Sequence, residues 1–229
     1  MSFESPAQSV EQRPVIDSQE PRLCNLRASL SGEAADVRPM SKAFAGLVLA
    51  AGFSRRFGSD KRCARLSSGQ TLLEASLALP CAQLKEVWVV LRPEDDSAAL
   101  GVPAQVQVVR SEYAALGMGH SLASAMQAIN ERSGADVLAV FLGDMPWIRV
   151  DSLGHLLALA SSDHIVVPTY QGQSGHPVIF GRRFWSALLH LSGDEGAKSV
   201  LQAHPHAVRR LQLDDPSIRR DIDTAESIE

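Results

Sequence analysis

Two unbroken apolar runs of strand length, Ala45–Ala50 and Val137–Leu142, constrain this chain more than any other feature. A strand that is apolar at every position has no face for solvent, so it belongs in a sheet covered on both sides. Val137–Leu142 is the more hydrophobic and is expected near the sheet centre. Val87–Leu91, Val106–Val109, Ile165–Pro168, Pro177–Phe180 and Val208–Leu213 read as further strands. Helical patterns fall between them. Thr71–Leu79 has a possible capping box in Thr71 and Glu74, with Pro80 as its stop. Ser121–Ile129 lines Leu122, Met126 and Ile129 along one face. Asp151 is expected to cap a helix whose Leu153, Leu156, Leu157 and Ala160 follow helical spacing. Two more helices are expected near Arg182–Leu191 and Glu195–His204. Strands alternating with helices imply right-handed βαβ crossovers and an α/β fold with a mostly parallel, twisted sheet. Ligands of such sheets bind outside the carboxyl ends of the strands, which directs attention to the loops after Ala50, Val109 and Leu142.

The first forty residues are different. They hold four of the 12 prolines, four Lys/Arg and six Asp/Glu, and their apolar residues follow no sustained period. The sequence therefore divides into a disordered extension, residues 1–40, and one domain, residues 41–229. Met40 as the true initiator and a genuine solubilising or regulatory extension both remain open; peptides upstream of Met40 in the natively expressed protein would exclude the first. The whole chain has 22 Lys+Arg against 26 Asp+Glu, a net charge of −4, with 5% aromatic residues. That balance argues against a general nucleic-acid binder. Cys24, Cys63 and Cys81 are scattered and form neither a disulfide framework nor a zinc pattern, as suits a reducing cytoplasm. The longest apolar run, Ala43–Phe53, is too short to cross a bilayer, and no secretory leader is evident at the start. A cytoplasmic protein that uses neither membrane nor nucleic acid is expected.

The loop after the first run carries the chemistry. It reads Leu49-Ala50-Ala51-Gly52-Phe53-Ser54-Arg55-Arg56-Phe57-Gly58-Ser59-Asp60-Lys61. Small residues let the backbone turn sharply and bring its N–H groups close to a ligand. From Arg55 to Arg65 there are five cations and one anion, Asp60. Clustered cations usually form a solvated surface. Their position after a buried strand, between glycines, favours a polyphosphate cradle instead. The loop lacks the Gly-Lys-Ser/Thr of a Walker motif and the GxGxxG of a dinucleotide fingerprint. Phe53 and Phe57 are expected to be packing anchors. At the end of the central run, Gly143-Asp144-Met145-Pro146 presents a carboxylate above the sheet. Alone, Asp144 is equally a turn residue or a cation ligand; beside a phosphate loop the cation role is favoured, since Mg²⁺ takes few carboxylates together with phosphate oxygens.

Leu49-Ala50-Ala51-Gly52-x-Ser54-x-Arg56-Phe57-Gly58-x-x-Lys61 resembles the signature loop of the MobA-like nucleotidyltransferases, and more narrowly of the molybdenum cofactor cytidylyltransferases. The resemblance runs from about Ala45 to Ile228 and implies a three-layer Rossmann-like nucleotidyltransferase domain. In that family the loop wraps the nucleotide's triphosphate, which implies binding by Ala50, Ala51, Gly52 and Ser54 and charge neutralisation by Arg56 and Lys61. Guanylyl-transferring relatives begin Leu-Ala-Gly-Gly; Ala51 is similar to the cytidylyl-using branch. Asp221-Ile222-Asp223-Thr224 resembles the terminal Asp-x-Asp-Thr motif and implies Asp223 as a second metal ligand, although Ala225-Glu226-Ser227 replaces the usual Pro-Glu-Asp. Gly117-Met118-Gly119-His120-Ser121-Leu122 resembles a segment set against ribose and base, implicating Gly119 and Ser121 but not His120. Gly175-His176-Pro177 resembles the segment facing the acceptor, implicating His176. Lys198 replaces the family's usual Arg beside that pocket. Trp88, Trp147 and Trp185 are expected in the core.

The resemblance implies a reaction of CTP with the molybdenum cofactor that gives the cytosine dinucleotide form and pyrophosphate. Arg56, Lys61 and Asp144 would be catalytic, and Mg²⁺ would sit on Asp144 and Asp223. Its substrates would be small molecules, with a xanthine-dehydrogenase-type molybdoenzyme as possible recipient of the product. Two other readings stay open: a relative using GTP or a sugar or polyol phosphate, and a non-enzymatic carrier of the cofactor.

Overall fold

A computed structural model describes residues 42–54, 57–194 and 196–224. Its centre is four parallel strands in the order β3-β2-β1-β4: β1 (Phe44–Leu49), β2 (Glu86–Leu91), β3 (Gln107–Arg110) and β4 (Val137–Leu142). The most hydrophobic run lies centrally, as expected. Beyond β4 the sheet continues through β7 (Val178–Gly181), antiparallel to both β4 and β5 (Ile165–Tyr170). β5 also pairs with the short β6 (Gln173–Ser174) and, in parallel, with β8 (Val208–Gln212). The single reversed strand between β4 and β5 leaves both of these with their carboxyl ends on the same side.

Strand alternation divides the core in two. Val87, Val89 and Leu91 of β2 and Val137, Ala139 and Phe141 of β4 face one side, with Leu73 and Leu77 of α1 (Leu72–Gln83) and Leu153 and Leu156 of α3 (Val150–Leu159). Trp88, Val90, Leu138 and Val140 face the other, with Leu122, Met126 and Ile129 of α2 (Met118–Arg132). α4 (Trp185–Leu188) and α5 (Lys198–Ala203) complete that second layer through Trp185, Leu188 and Val200. Continuous apolar strands are therefore buried on both faces, in three layers.

Several local expectations change. The Thr71–Glu74 capping box is present, but α1 runs through Pro80 to Gln83. Pro80 forfeits only one bond, to the carbonyl four residues back, and is itself buried. The Leu84 N–H closes the last turn on the Pro80 carbonyl. Asp151 does not cap α3; Arg149 occupies that position without a side-chain bond, and Asp151 lies in the first turn. Trp88 and Trp185 are buried, whereas Trp147 is half-buried on the loop after β4 with the Arg220 guanidinium 3.8 Å from its ring centre. Phe53 is no packing anchor: it is 43% exposed, with Arg92 stacked 4.5 Å from its ring centre.

Candidate active site

The carboxyl ends of β1 and β4 lie side by side. The Gly143 N–H donates to the Leu49 carbonyl, and the Ala50 N–H donates to the Val90 carbonyl. A cleft of about 490 Å³ opens above this edge, lined by Ala50, Ala51, Gly52, Ser54, Lys61, Ser121, Asp144 and Asp223, among others. Eight of the residues singled out from the sequence thus meet at one place. Arg56 lies outside the described residues. Gly119 and His176 are not among the lining residues.

Lys61 is placed by its own turn. Asp60 caps a 3₁₀ turn, Lys61–Cys63, and the Ser54 hydroxyl accepts from the Lys61 N–H at 3.3 Å. The Lys61 ammonium reaches Asp144 Oδ2 at 2.6 Å, the Ile222 carbonyl at 3.0 Å and Asp223 Oδ1 at 3.6 Å. Asp144 in turn holds the C-terminal segment, because the Ile222 N–H donates to its carbonyl at 3.0 Å. Asp144, Asp221 and Asp223 each offer an oxygen within 4.8 Å of the others. Asp144 Oδ1 is buried and has no hydrogen-bond partner. Hard oxygen donors of this kind, one with an unused buried lone pair, fit a divalent cation such as Mg²⁺ or Mn²⁺. Sequence reasoning assigned Asp144 and Asp223 and overlooked Asp221, although it stands in the quoted motif.

The C-terminal segment is braced from below. Asp215 is buried, accepts from the Ser152 hydroxyl of α3 at 2.6 Å and from Ser217 N–H and hydroxyl, and so caps the 3₁₀ turn Pro216–Arg219. Burial by itself would raise its carboxyl; these bonds and Arg149 outweigh burial and hold it below the usual range. Gly175 packs directly on that turn: a Cβ there would lie 2.4 Å from the Ile218 carbonyl oxygen, which accepts from the His176 N–H at 2.7 Å. His176 therefore sits behind the carboxylates, in the pull of Asp144 and Asp221, rather than in the cleft. Burial pushes its imidazole below the ordinary value, the Val140 carbonyl and both carboxylates opposing. Its Nδ1 is buried without a partner.

Across the cleft, Gly117 and Gly119 serve a docking role. Gly117 has a φ of +122°, and a Cβ on either residue would lie within 3 Å of the Ser192–Asp194 segment. The Gly119 N–H donates to the Gly193 carbonyl at 2.8 Å, which removes it from ligand binding. His120, which sequence reasoning left without a role, accepts from the Gly193 N–H through Nδ1 at 3.0 Å. Ser121 remains on the cleft wall, 5% exposed. Lys198, at the start of α5, is exposed and is not among the cleft-lining residues.

The cationic run also divides. Arg62 is 3% exposed and bonds Asp60, Asp95 and the Ala50 carbonyl. Burial would lower its pKa, but the two carboxylates raise it further. In return, Arg62 holds Asp60 and Asp95 below the usual carboxylate range against their own burial. Arg65 turns to the Gly69 carbonyl. Two of the five cations thus serve the protein rather than a ligand. Asp95, 33 positions from Arg62 and in no obvious motif, carried no sequence signal.

A cleft at the carboxyl edge of a parallel sheet, with a small-residue loop, a lysine and converging carboxylates, defines a class of α/β protein built to handle phosphorylated nucleotides. The chain belongs to the MobA-like NTP transferase domain family, whose pattern matches residues 46–208. It is 32% identical over 193 residues to purine catabolism protein PucB of Bacillus subtilis, covering 79% of this chain and 92% of PucB. It is 27% identical to nicotine blue oxidoreductase of Paenarthrobacter nicotinovorans, over 80% and 93% of the two chains. A probable molybdenum cofactor guanylyltransferase of Mycobacterium ulcerans is 35% identical over 135 residues, 57% of this chain and 63% of that protein. Among solved structures, the manganese complex of Rv0371c from Mycobacterium tuberculosis aligns with a TM-score of 0.64 at 26% identity, covering 81% and 96% of the chains. The protein is a nucleotidyltransferase of the MobA-like family. Among the described residues no helix is long and apolar enough to cross a membrane.

Proposed function

We propose that the protein transfers CMP from CTP to the phosphate of the molybdenum cofactor, releasing pyrophosphate. The observation that carries this reading is the meeting of Lys61, Asp144 and Asp223 beside the Ala50–Ser54 loop. An acceptor phosphate oxygen forms the new bond to the α-phosphorus, and the bond from that phosphorus to the bridging oxygen of pyrophosphate breaks. A phosphate nucleophile is already ionised, so no strong base is needed, and catalysis becomes positioning and charge neutralisation. Lys61 neutralises developing charge on the transferred group, and Arg56 is assigned the leaving phosphates. Asp144, Asp223 and Asp221 would hold Mg²⁺. When bound, the cation supplies positive charge to phosphate oxygens. His176 supports the carboxylates on the acceptor side. Residues 41–229 carry the activity without residues 1–40, and a xanthine-dehydrogenase-type molybdoenzyme is the recipient.

Ala51 supports CTP: its side chain is 3% exposed at the cleft wall, where guanylyl-transferring relatives have glycine. The Mycobacterium ulcerans relative favours a second reading, with GTP as donor. Pyrophosphate release, measured with each of four nucleotides, Mg²⁺ and molybdenum cofactor, separates them. Release with CTP alone supports the proposal, release with GTP replaces it, and no nucleotide-dependent release refutes both.

A further inference from the structure

Arg92, at the end of β2, belongs to none of the motifs above. Its side chain is 12% exposed and crosses to the loop after β1. There it donates to the Gly52 carbonyl and, in a longer contact of 3.4 Å, to the Ala51 carbonyl, with its guanidinium over the Phe53 ring. Arg62 donates to the preceding carbonyl, Ala50, at 2.8 Å. Three consecutive carbonyls are thus held by two arginines. Both arginines are fixed in turn: Asp95 accepts from Arg62 Nη2 at 2.7 Å and from the Arg92 N–H at 2.8 Å, and Asp60 pairs with both side chains.

In a trans peptide the carbonyl and the following N–H point in opposite directions. The cis bond described in the chain is His176–Pro177 and does not fall in this loop. Capturing the carbonyls of residues 50, 51 and 52 therefore turns the N–H groups of Ala51, Gly52 and Phe53 away from the arginines. Among the described residues, none of these three N–H groups donates within the protein. Successive backbone N–H groups without an internal acceptor, in a turn, form a nest for acceptor oxygens.

We propose that Arg62 and Arg92 are positioning residues that orient this nest, so that the backbone of Ala51–Phe53 donates to acceptor oxygens of the bound nucleoside triphosphate. This rests on the nucleotidyl-transfer reading above. Lysine at position 92 keeps the charge but not the planar fork that reaches two carbonyls. Preorganised contacts that the nucleotide makes in ground and transition states alike act on KM rather than on kcat.

The test compares wild type with Arg92→Lys and Arg92→Gln in the full chain. CTP and GTP affinity, KM and kcat are measured, together with ¹H–¹⁵N shifts of Ala51, Gly52 and Phe53 on titrating nucleotide with Mg²⁺. Both variants are expected to raise Kd and KM about tenfold, with kcat within about twofold. The three wild-type amides are expected to shift downfield on binding, and less so in Arg92→Lys. Wild-type affinity in Arg92→Lys, or a fall in kcat at unchanged KM, overturns the inference. So do three wild-type amides that do not move when nucleotide binds, a measurement needing no variant. A wild type that binds neither nucleotide overturns the functional reading as well, which separates the two failures.

Discussion

At the scale of single residues, the site is organised by Lys61 and Asp144. The two are bonded to each other, and each also holds the C-terminal segment, through the Ile222 carbonyl and N–H respectively. Asp144→Ala is expected to lower turnover by two or more orders of magnitude, as loss of an electrostatic group at a reacting centre commonly does. Near-normal pyrophosphate release by this variant would remove Asp144 from the mechanism. Asp221→Asn, at the carboxylate that sequence reasoning overlooked, is expected to weaken Mn²⁺ binding about tenfold or more by titration, with the folded state intact. Asp144 was legible because a strand end and a turn mark its position in any parallel sheet. Arg62 was misread as part of a ligand cradle, because its partner Asp95 is brought in by the next strand and no local pattern announces it. Burying Arg62 is tolerated only through that pairing, so Asp95→Asn is expected to cost about 3 kcal/mol in denaturant melts.

At the scale of elements, the reading of the two halves differed. β1, β2 and β4 were legible as unbroken apolar runs, α1 by its capping box and α2 by its apolar stripe. The region after β5 was less so: a two-residue strand, a 3₁₀ turn running into four-residue α4 and a six-residue α5 are too short to show a period. Their positions are set by tertiary contacts such as Gly175 on Ile218. Gly175→Ala is expected to push back the turn that carries Asp221 and Asp223, weakening divalent-cation binding about tenfold while leaving the nucleotide loop in place. Unchanged Mn²⁺ affinity would show that the turn can shift without consequence.

For the whole molecule, three carboxylates, Asp60, Asp95 and Asp215, have folded values held below those of the unfolded chain. The unfolded state then binds more protons in acid, and their contribution is complete above the ordinary carboxylate value, lost as pH falls through the folded values. Urea melts are expected to give constant contributions from these groups above pH about 5 and a steep loss below about 4. Asp215→Asn is expected to show a smaller loss over that window. Net charge bears on solubility and partners; the acid sensitivity expected here rests instead on these three buried or half-buried carboxylates.

The reversed strand β7 has an architectural consequence. Because it runs against β4 and β5, the chain between β5 and β7, residues 171–177, turns at the same edge as the cleft yet supplies none of the residues that line it. That hairpin can lengthen or change composition without altering the register of β1 with β2 or β4. The freedom belongs to the tip, residues 171–173, because Gly175 and His176 are seated on the Ile218 carbonyl and any change there reaches the turn before Asp221 and Asp223.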